Sequence, residues 1–401
     1  MKEVLFITNF DNLSASINVE EELINQLSKN FKNVYFVNAG NLFFPKKNKI
    51  DKNIRNIKNI IKLPNIHLVN PKNFKEFNIF LKNKNFFVIS NFGSSFDSLR
   101  INIFLKRKKI KIFQISNSGF FNVATKYDFK LSFLPIIKHF LTYKFFRRFA
   151  VVLSNVGIFP KIEVRFISNK YIIDQINNHP LKKKLYENQF FFAKELKLIN
   201  SKSYDLFRKN PMDISEDYIV HLDKEFDWPE LVALRGKYDE QKLHKHYFFL
   251  NQFLSKLSKD YNKEVKVCIH PGYELKKFEK YFPNFEVIQF KTREYIYKSF
   301  MVTMIDSSAV VDAILLKKKI LGLTSNYMGL NEINYSLDNI GRYGIKHLDI
   351  EKDYLKSKEF ILGEMKKKIN DYDKYISQYL CFDKDISGYE KIIKTLKEKN
   401  L

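Results

Sequence analysis

Three consecutive residues, Asp306-Ser307-Ser308, stand between the apolar run Met301–Ile305 and a second apolar run, Ala309–Leu316. Side chains of these types at a helix start satisfy the backbone N–H groups that the first turn leaves open. The same N–H groups, aided by the helix dipole, bind phosphate. Capping needs one such residue, so two adjacent hydroxyls point to a phosphate site. His270-Pro271-Gly272 directly follows the run Val265–Ile269. Pro and Gly turn the chain there, and an imidazole at a strand end can hydrogen-bond a phosphate or protonate a departing one. Thr292, after Val287–Phe290, either caps a helix over Glu294–Ser299 or reaches a base or ribose. Asp223 closes the run Tyr218–Leu222, where it either initiates a turn or holds a substrate hydroxyl. In the N-terminal half, Asn9, Asp11, Ser14, Ser94, Asp97 and Ser118 fall at the ends of apolar runs. Asp11 and Asp97 are the two carboxylates that could take a proton from an acceptor hydroxyl, and loop or capping roles suit them equally.

These residues need elements to place them at one edge. Val4–Thr8, Val34–Val37, Phe86–Ser90, Lys111–Ile115 and Val164–Ser168 are compact apolar runs of strand length. Ile17–Asn30 carries apolar residues at helical spacing between the first two, which makes a strand–helix–strand opening. A second series runs through Tyr218–Asp223, Val265–Ile269, Val287–Phe290, Phe300–Ile305 and Ile320–Leu323, with a helix over 238–259. Strands that each end in small polar residues fit open parallel sheets, which take their ligands at the carboxyl ends. The expected division is an acceptor-side domain over 1–210, a nucleotide-donor domain over 211–353 and two terminal helices over 354–401.

The chain has 401 residues, 45% of them hydrophobic and 28% charged, enough for two α/β domains. Its 40 Phe and 22 Tyr, with abundant Lys, Asn and Ile, suggest a compositional bias that inflates lysine without function. The net charge of +25 is therefore either lysine drift or an attraction to anionic membranes or phosphorylated substrates. Residues 136–150, basic and aromatic, suit a membrane interface or a core-facing helix. No zinc-finger spacing or RNA-binding signature occurs, so a basic nucleic-acid-binding protein is the weaker alternative. No GxGxxG, GxxxxGK[ST] or GxSxG pattern occurs. The eight histidines are scattered, which predicts no metal site. Two cysteines and no apolar leader predict a cytoplasmic protein, peripheral at most to the membrane.

Asp217–Asp223, Val267–Pro271, Thr292–Tyr295, Asp306–Ala313 and Lys319–Gly322 together resemble the bacterial surface-carbohydrate (capsule and lipopolysaccharide) biosynthesis proteins among the GT-B glycosyltransferases. Bacterial sialyltransferases and CDP-glycerol-type phosphotransferases carry similar His-Pro and Ser-Ser motifs. The resemblance spans roughly residues 215–330, and Trp228 departs from it where a His before the Pro is expected. It implies two Rossmann-like domains with parallel sheets facing a cleft, and a metal-independent glycosyltransferase without a cofactor. The donor would be a nucleotide-activated sugar, such as a CMP-linked acidic one, and the acceptor a saccharide or lipid-linked saccharide. His270, Pro271, Gly272, Ser307 and Ser308 would match the motifs that contact the donor phosphate. A CDP-alditol phosphotransferase and a nucleotide-sugar epimerase are the other activities it implies.

Overall fold

The structure is a computed structural model. It describes residues 3–8, 13–39, 42, 63–82, 85–90, 96–116, 162–170, 173–174, 193–209, 214–224, 226, 239–270, 274–328, 330–368 and 371–400. Contacts divide these residues into two units. One holds the N-terminal strands and takes in the chain again from Cys381, while the other spans Ser203–Leu380.

The first unit is built on a 7-stranded sheet. Its strands are β1 (Glu3–Thr8), β2 (Val34–Asn38), β3 (Ile66–Val69), β4 (Phe86–Ser90), β5 (Lys111–Ser116), β6 (Ile162–Ile167) and β7 (Ala193–Leu198), in the order β3-β2-β1-β4-β5-β6-β7. All pairings are parallel. Side chains alternate across a strand, so Val4 and Phe6 face one layer while Leu5 and Ile7 face the other. Both layers are covered, which is why the central strands read as unbroken apolar runs. Helix α1 (Leu13–Asn30) covers the first face through Leu23, Ile24 and Leu27. Helices α2 (Phe74–Leu81) and α3 (Phe96–Arg107) cover the second through Phe77, Leu81, Ile101 and Leu105.

Helix α4 (Lys202–Lys209) leads into the second unit, whose 6-stranded sheet is also parallel. Its strands are β8 (Tyr218–Leu222), β9 (Val265–Ile269), β10 (Glu286–Gln289), β11 (Ser299–Met304), β12 (Lys319–Thr324) and β13 (Lys346–Asp349), in the order β10-β9-β8-β11-β12-β13. One face packs against α5 (Glu240–Tyr261), α6 (Leu275–Tyr281) and α10 (Lys358–Lys368). The other packs against α7 (Thr292–Tyr297), α8 (Val310–Leu315), α9 (Leu330–Arg342) and α11 (Asp371–Tyr375). Asp239 caps α5 by accepting from the N–H groups of Gln241 and Lys242, and Asn262 closes it in the left-handed conformation.

A last helix, α12 (Gly388–Asn400), lies in the first unit: Ile392, Ile393 and Leu396 are buried in the layer that α1 covers. The Asn200 amide ties the approach to it, donating to the carbonyls of Asp383 and Ile386 and accepting from the N–H groups of Phe382 and Asp383.

Several elements differ from the sequence expectation. Val164–Ser168 is not the last strand of the first unit: β7 follows it, inside the stretch read as a connection. β3 and β13 were not expected either. The tail forms α10, α11 with a π-helical turn at Ile376–Leu380, and α12, rather than two helices.

Candidate functional site

In the second sheet the strand order reverses between β8 and β11. Connections from β8 run outward to β9 and β10, and connections from β11 run outward to β12 and β13. In doubly wound sheets such a reversal opens a crevice at the carboxyl ends of the two strands, here β8 and β11, and ligands are held there. His221-Leu222-Asp223-Lys224 ends β8, and Met304-Ile305-Asp306-Ser307 ends β11, paired in register at His221–Thr303 and Leu222–Met304.

The two strand ends are joined by side chains. Lys224 is only 8% exposed, and its Nζ donates to Asp306 Oδ2 at 3.0 Å. Asn339 of α9 donates to the other oxygen, Oδ1, at 3.0 Å. Asp306 is thus occupied on both oxygens by donors from two other elements. A carboxylate in that place holds Lys224 over the crevice and does not itself attract phosphate. Ser307 Oγ accepts from the Ala309 N–H at 3.3 Å, while Ser308 is exposed. Helix α8 starts only at Val310 and has six residues, so both serines sit in the turn before it. The hydroxyl pair therefore combines one local backbone contact with one side chain open to solvent.

Beneath Lys224 lies a buried polar chain. His221 Nδ1 is 2.9 Å from Thr303 Oγ1, and its Nε2 is 3.3 Å from Asp223 Oδ1. Tyr247 of α5 donates to Asp223 Oδ2 at 3.1 Å. The side chains of His221 and Asp223 are fully buried. This arrangement fixes Asp223 as an acceptor at the strand end and holds the backbone that carries Lys224. His246, the neighbour of Tyr247, is also buried, wedged between Phe226 and Tyr247 with ring centroids at 4.9 and 5.2 Å. Neither of its ring nitrogens has a hydrogen-bond partner. Burial, with His221 nearby, drives its pKa down to about 3, so it is neutral.

On the far side of β8, His270 is exposed directly after β9. Thr292 lies one strand further out and is the first residue of α7, whose N-cap is Lys291 without a side-chain cap bond. The expected capping role thus falls away. Burial pushes the pKa of the Cys268 thiol of β9 up to about 12, a rise that the nearby Thr292 side chain opposes. Pro271 and Gly272 lie outside the described residues, as does Asp11 in the first unit. Asp97 falls in the first turn of α3. Of the other strand-end residues, Asn9, Ser94 and Ser118 lie outside the described residues and Ser14 is in α1, as the basic stretch 136–150 is also outside.

The structure therefore gathers Asp223, Asp306, Ser307 and Ser308 at one crevice, with His270 and Thr292 along the same sheet edge. Lys224, Asn339 and Tyr247 complete that site and were not anticipated. Lys224 directly follows Asp223 at the end of an apolar run, but 69 Lys and Arg residues mask one more lysine. A cavity of about 760 Å³ lies elsewhere in this unit, between α5 and α6, lined by Phe248, Lys256, Lys277, Lys280 and the stacked pair Tyr247 and Tyr281. None of the strand-end residues lines it, so the crevice and this cavity are separate features joined only through Tyr247. Among the described residues, no group of three His, Cys, Asp or Glu side chains could hold a metal ion. None of their helices is long and apolar enough to cross a membrane.

The chain matches no family model and, at a significant level, no curated protein. It is similar to solved structures along its whole length. A histidine-to-asparagine variant of the wall teichoic acid polymerase TagF is 13% identical at a TM-score of 0.55, covering 99% of this chain and 89% of that one. The same variant soaked with CDPG is 12% identical at 0.51, covering 100% and 88%. The UDP-GlcNAc 2-epimerase of Methanocaldococcus jannaschii, in complex with UDP-GlcNAc and UDP, is 13% identical at 0.48, covering 99% and 100%. The fold is of the GT-B type: two doubly wound, Rossmann-like units with parallel sheets.

Proposed function

We propose that the chain is a transferase that uses a nucleotide-activated donor, and that the crevice above β8 and β11 receives the donor's phosphates. The observation that carries this reading is the Lys224–Asp306 pair. It sets a cation, almost withdrawn from water, at the point where a doubly wound sheet takes phosphate ligands. In low local dielectric such a cation stabilises charge developing on a leaving phosphate more than an exposed lysine does. Ser307 and Ser308 add hydroxyl donors, and His270 is placed to supply a proton or a hydrogen bond to the departing group.

The reaction in this reading is glycosyl transfer. An acceptor hydroxyl loses its proton to a carboxylate of the first unit, Asp11 or Asp97, and attacks the anomeric carbon. The bond from that carbon to the nucleotide's phosphate oxygen breaks, and the phosphate leaves with both electrons. The product would be a cell-surface saccharide chain, and a CMP-linked acidic sugar is one suitable donor. A second reading, transfer of an alditol phosphate from a CDP-alditol, is favoured by the TagF fold likeness, since that polymerase was soaked with CDPG. In that case the hydroxyl attacks phosphorus and CMP leaves. Either way the same crevice holds a phosphate.

A thermal-shift panel of CMP, CDP, UDP, GDP, CDP-glycerol and UDP-GlcNAc tests the reading. At a hundred times Kd a ligand adds about 2.7 kcal/mol to stability, a shift of several degrees. The Lys224→Met variant should lose most of that shift. No shift with any member of the panel refutes a nucleotide-dependent transferase. A shift with CDP-glycerol but not with UDP-GlcNAc selects the second reading.

A further inference from the structure

Four non-glycine residues among those described have positive φ: Lys109, Asn262, Phe290 and Lys317. Three of them follow helices and close the last turn. The N–H of Lys109 returns to Lys106, that of Asn262 to Lys259 and that of Lys317 to Ile314. This is the ordinary left-handed termination of a helix, and it suits asparagine and tolerates lysine. Phe290 has no such cause. It directly follows β10, at φ +72°, and its bulky side chain makes the left-handed conformation a steric outlier. The strained backbone turns its ring outward: Phe290 is 72% exposed, the most exposed phenylalanine among the described residues. The position costs the chain both backbone energy and apolar exposure, and only a partner over the ring would relieve the second. Strain of this kind persists where the surroundings and a function demand it.

The position of Phe290 is informative. It stands at the carboxyl end of β10, on the same edge as His270, Asp223, Lys224 and Asp306. β10 lies two strands from β8, and at a spacing of about 4.8 Å per strand the ring is roughly 10 Å from the crevice. That is the reach of a nucleotide from its phosphate to its base. Aromatic faces stack planar bases without requiring any particular hydrogen-bond pattern.

We propose that Phe290 is the platform on which the base of the nucleotide donor stacks, with its phosphates over Lys224. This inference rests on the nucleotide-donor reading above. The bound base covers the exposed ring, and the left-handed backbone presents it along the sheet edge rather than back into the α7 layer.

The test uses the full chain and titrates CDP, UDP and GDP, with inorganic pyrophosphate as the base-free probe, into wild type, Phe290→Gly and Phe290→Trp. Glycine adopts φ +72° freely, so Phe290→Gly should melt at a temperature equal to or above wild type. It should bind the nucleoside diphosphates at least tenfold more weakly, with pyrophosphate affinity within twofold of wild type. Phe290→Trp should keep nucleotide affinity, and the indole it introduces should be quenched by nucleotide and not by pyrophosphate. Wild-type nucleotide affinity in Phe290→Gly overturns the stacking role and leaves the donor reading standing. Equal loss of nucleotide and pyrophosphate overturns it too, because the effect then lies in the crevice. Failure of wild type to bind any of the three nucleotides rejects the donor reading itself, and the stacking role with it.

Discussion

Replacing Asp312 by Asn should stabilise the protein at neutral pH and do so less in acid. Asp312 lies on α8 with its carboxyl group largely buried, and the closest cation, Arg293 Nε, is 3.9 Å from Oδ1. That is outside hydrogen-bond range, and both atoms are without hydrogen-bond partners. Desolvation therefore outweighs the attraction of Arg293, and the carboxyl pKa rises from 3.8 to about 6. A carboxyl group with a raised folded-state pKa prefers its proton when folded. Its cost is absent below pH 3.8, grows as pH rises, and is complete above about 6. At 1.36 kcal/mol per pH unit of displacement, the full cost is about 3 kcal/mol at pH 7.5 and about half that at pH 5. Asn keeps the shape without the charge, so Asp312→Asn should exceed wild type by roughly these amounts in denaturant unfolding at the two pH values. An Asp312→Asn variant less stable than wild type at pH 7.5, or an advantage that does not shrink at pH 5, would refute the argument. The wild-type profile alone is uninformative, because the neutral buried His246 opposes it.

His246→Leu should isolate that opposing effect. A histidine held at a pKa of about 3 costs stability as pH falls below 6.5, about 2 kcal/mol by pH 5, and the leucine variant should lack that loss in the same unfolding assay. Gly322→Ala should lower stability by about 1–3 kcal/mol, read as a drop in Tm. A Cβ there would stand 2.6 Å from Ile340 Cδ1, 2.9 Å from Cγ1 and 3.0 Å from Cγ2, and Ile340 is itself buried and cannot withdraw. A normal melting temperature for Gly322→Ala would mean that α9 shifts on the sheet to accommodate it.

The central strands were legible because both faces of each sheet are covered, so β1, β4 and β11 show nearly unbroken apolar runs and β9 is broken only by Lys266. The three strands that escaped notice, β3, β7 and β13, are all sheet edges. Their side chains are only partly buried, so Ala193-Lys-Glu-Leu-Lys-Leu198 and Lys346-His-Leu-Asp349 carry charge and too few apolar residues to be read as strands. The site divides the same way. Asp223, Asp306 and the serines were visible as polar residues ending apolar runs. The Lys224–Asp306 bond spans 82 residues and the Asn339–Asp306 bond 33, and no local pattern announces either. Thr292 falls one place inside its helix, because Lys291 takes the N-cap position.

The last helix bears on how the chain is made. α12 contributes Ile392, Ile393 and Leu396 to the layer that also holds Val4, Phe6 and Phe36, each buried side chain adding about 1.5–3 kcal/mol. Domains usually fold in order as they leave the ribosome, N-terminal first. Here the layer that α1 covers in part stays incomplete until residues near 400 have been synthesised, while the second unit holds all its own strands earlier. The later unit can therefore close first, while the earlier one waits for α12, whose Thr395 and Lys399 meet Lys197 of β7 and Lys111 of β5, to complete the layer that α1 begins.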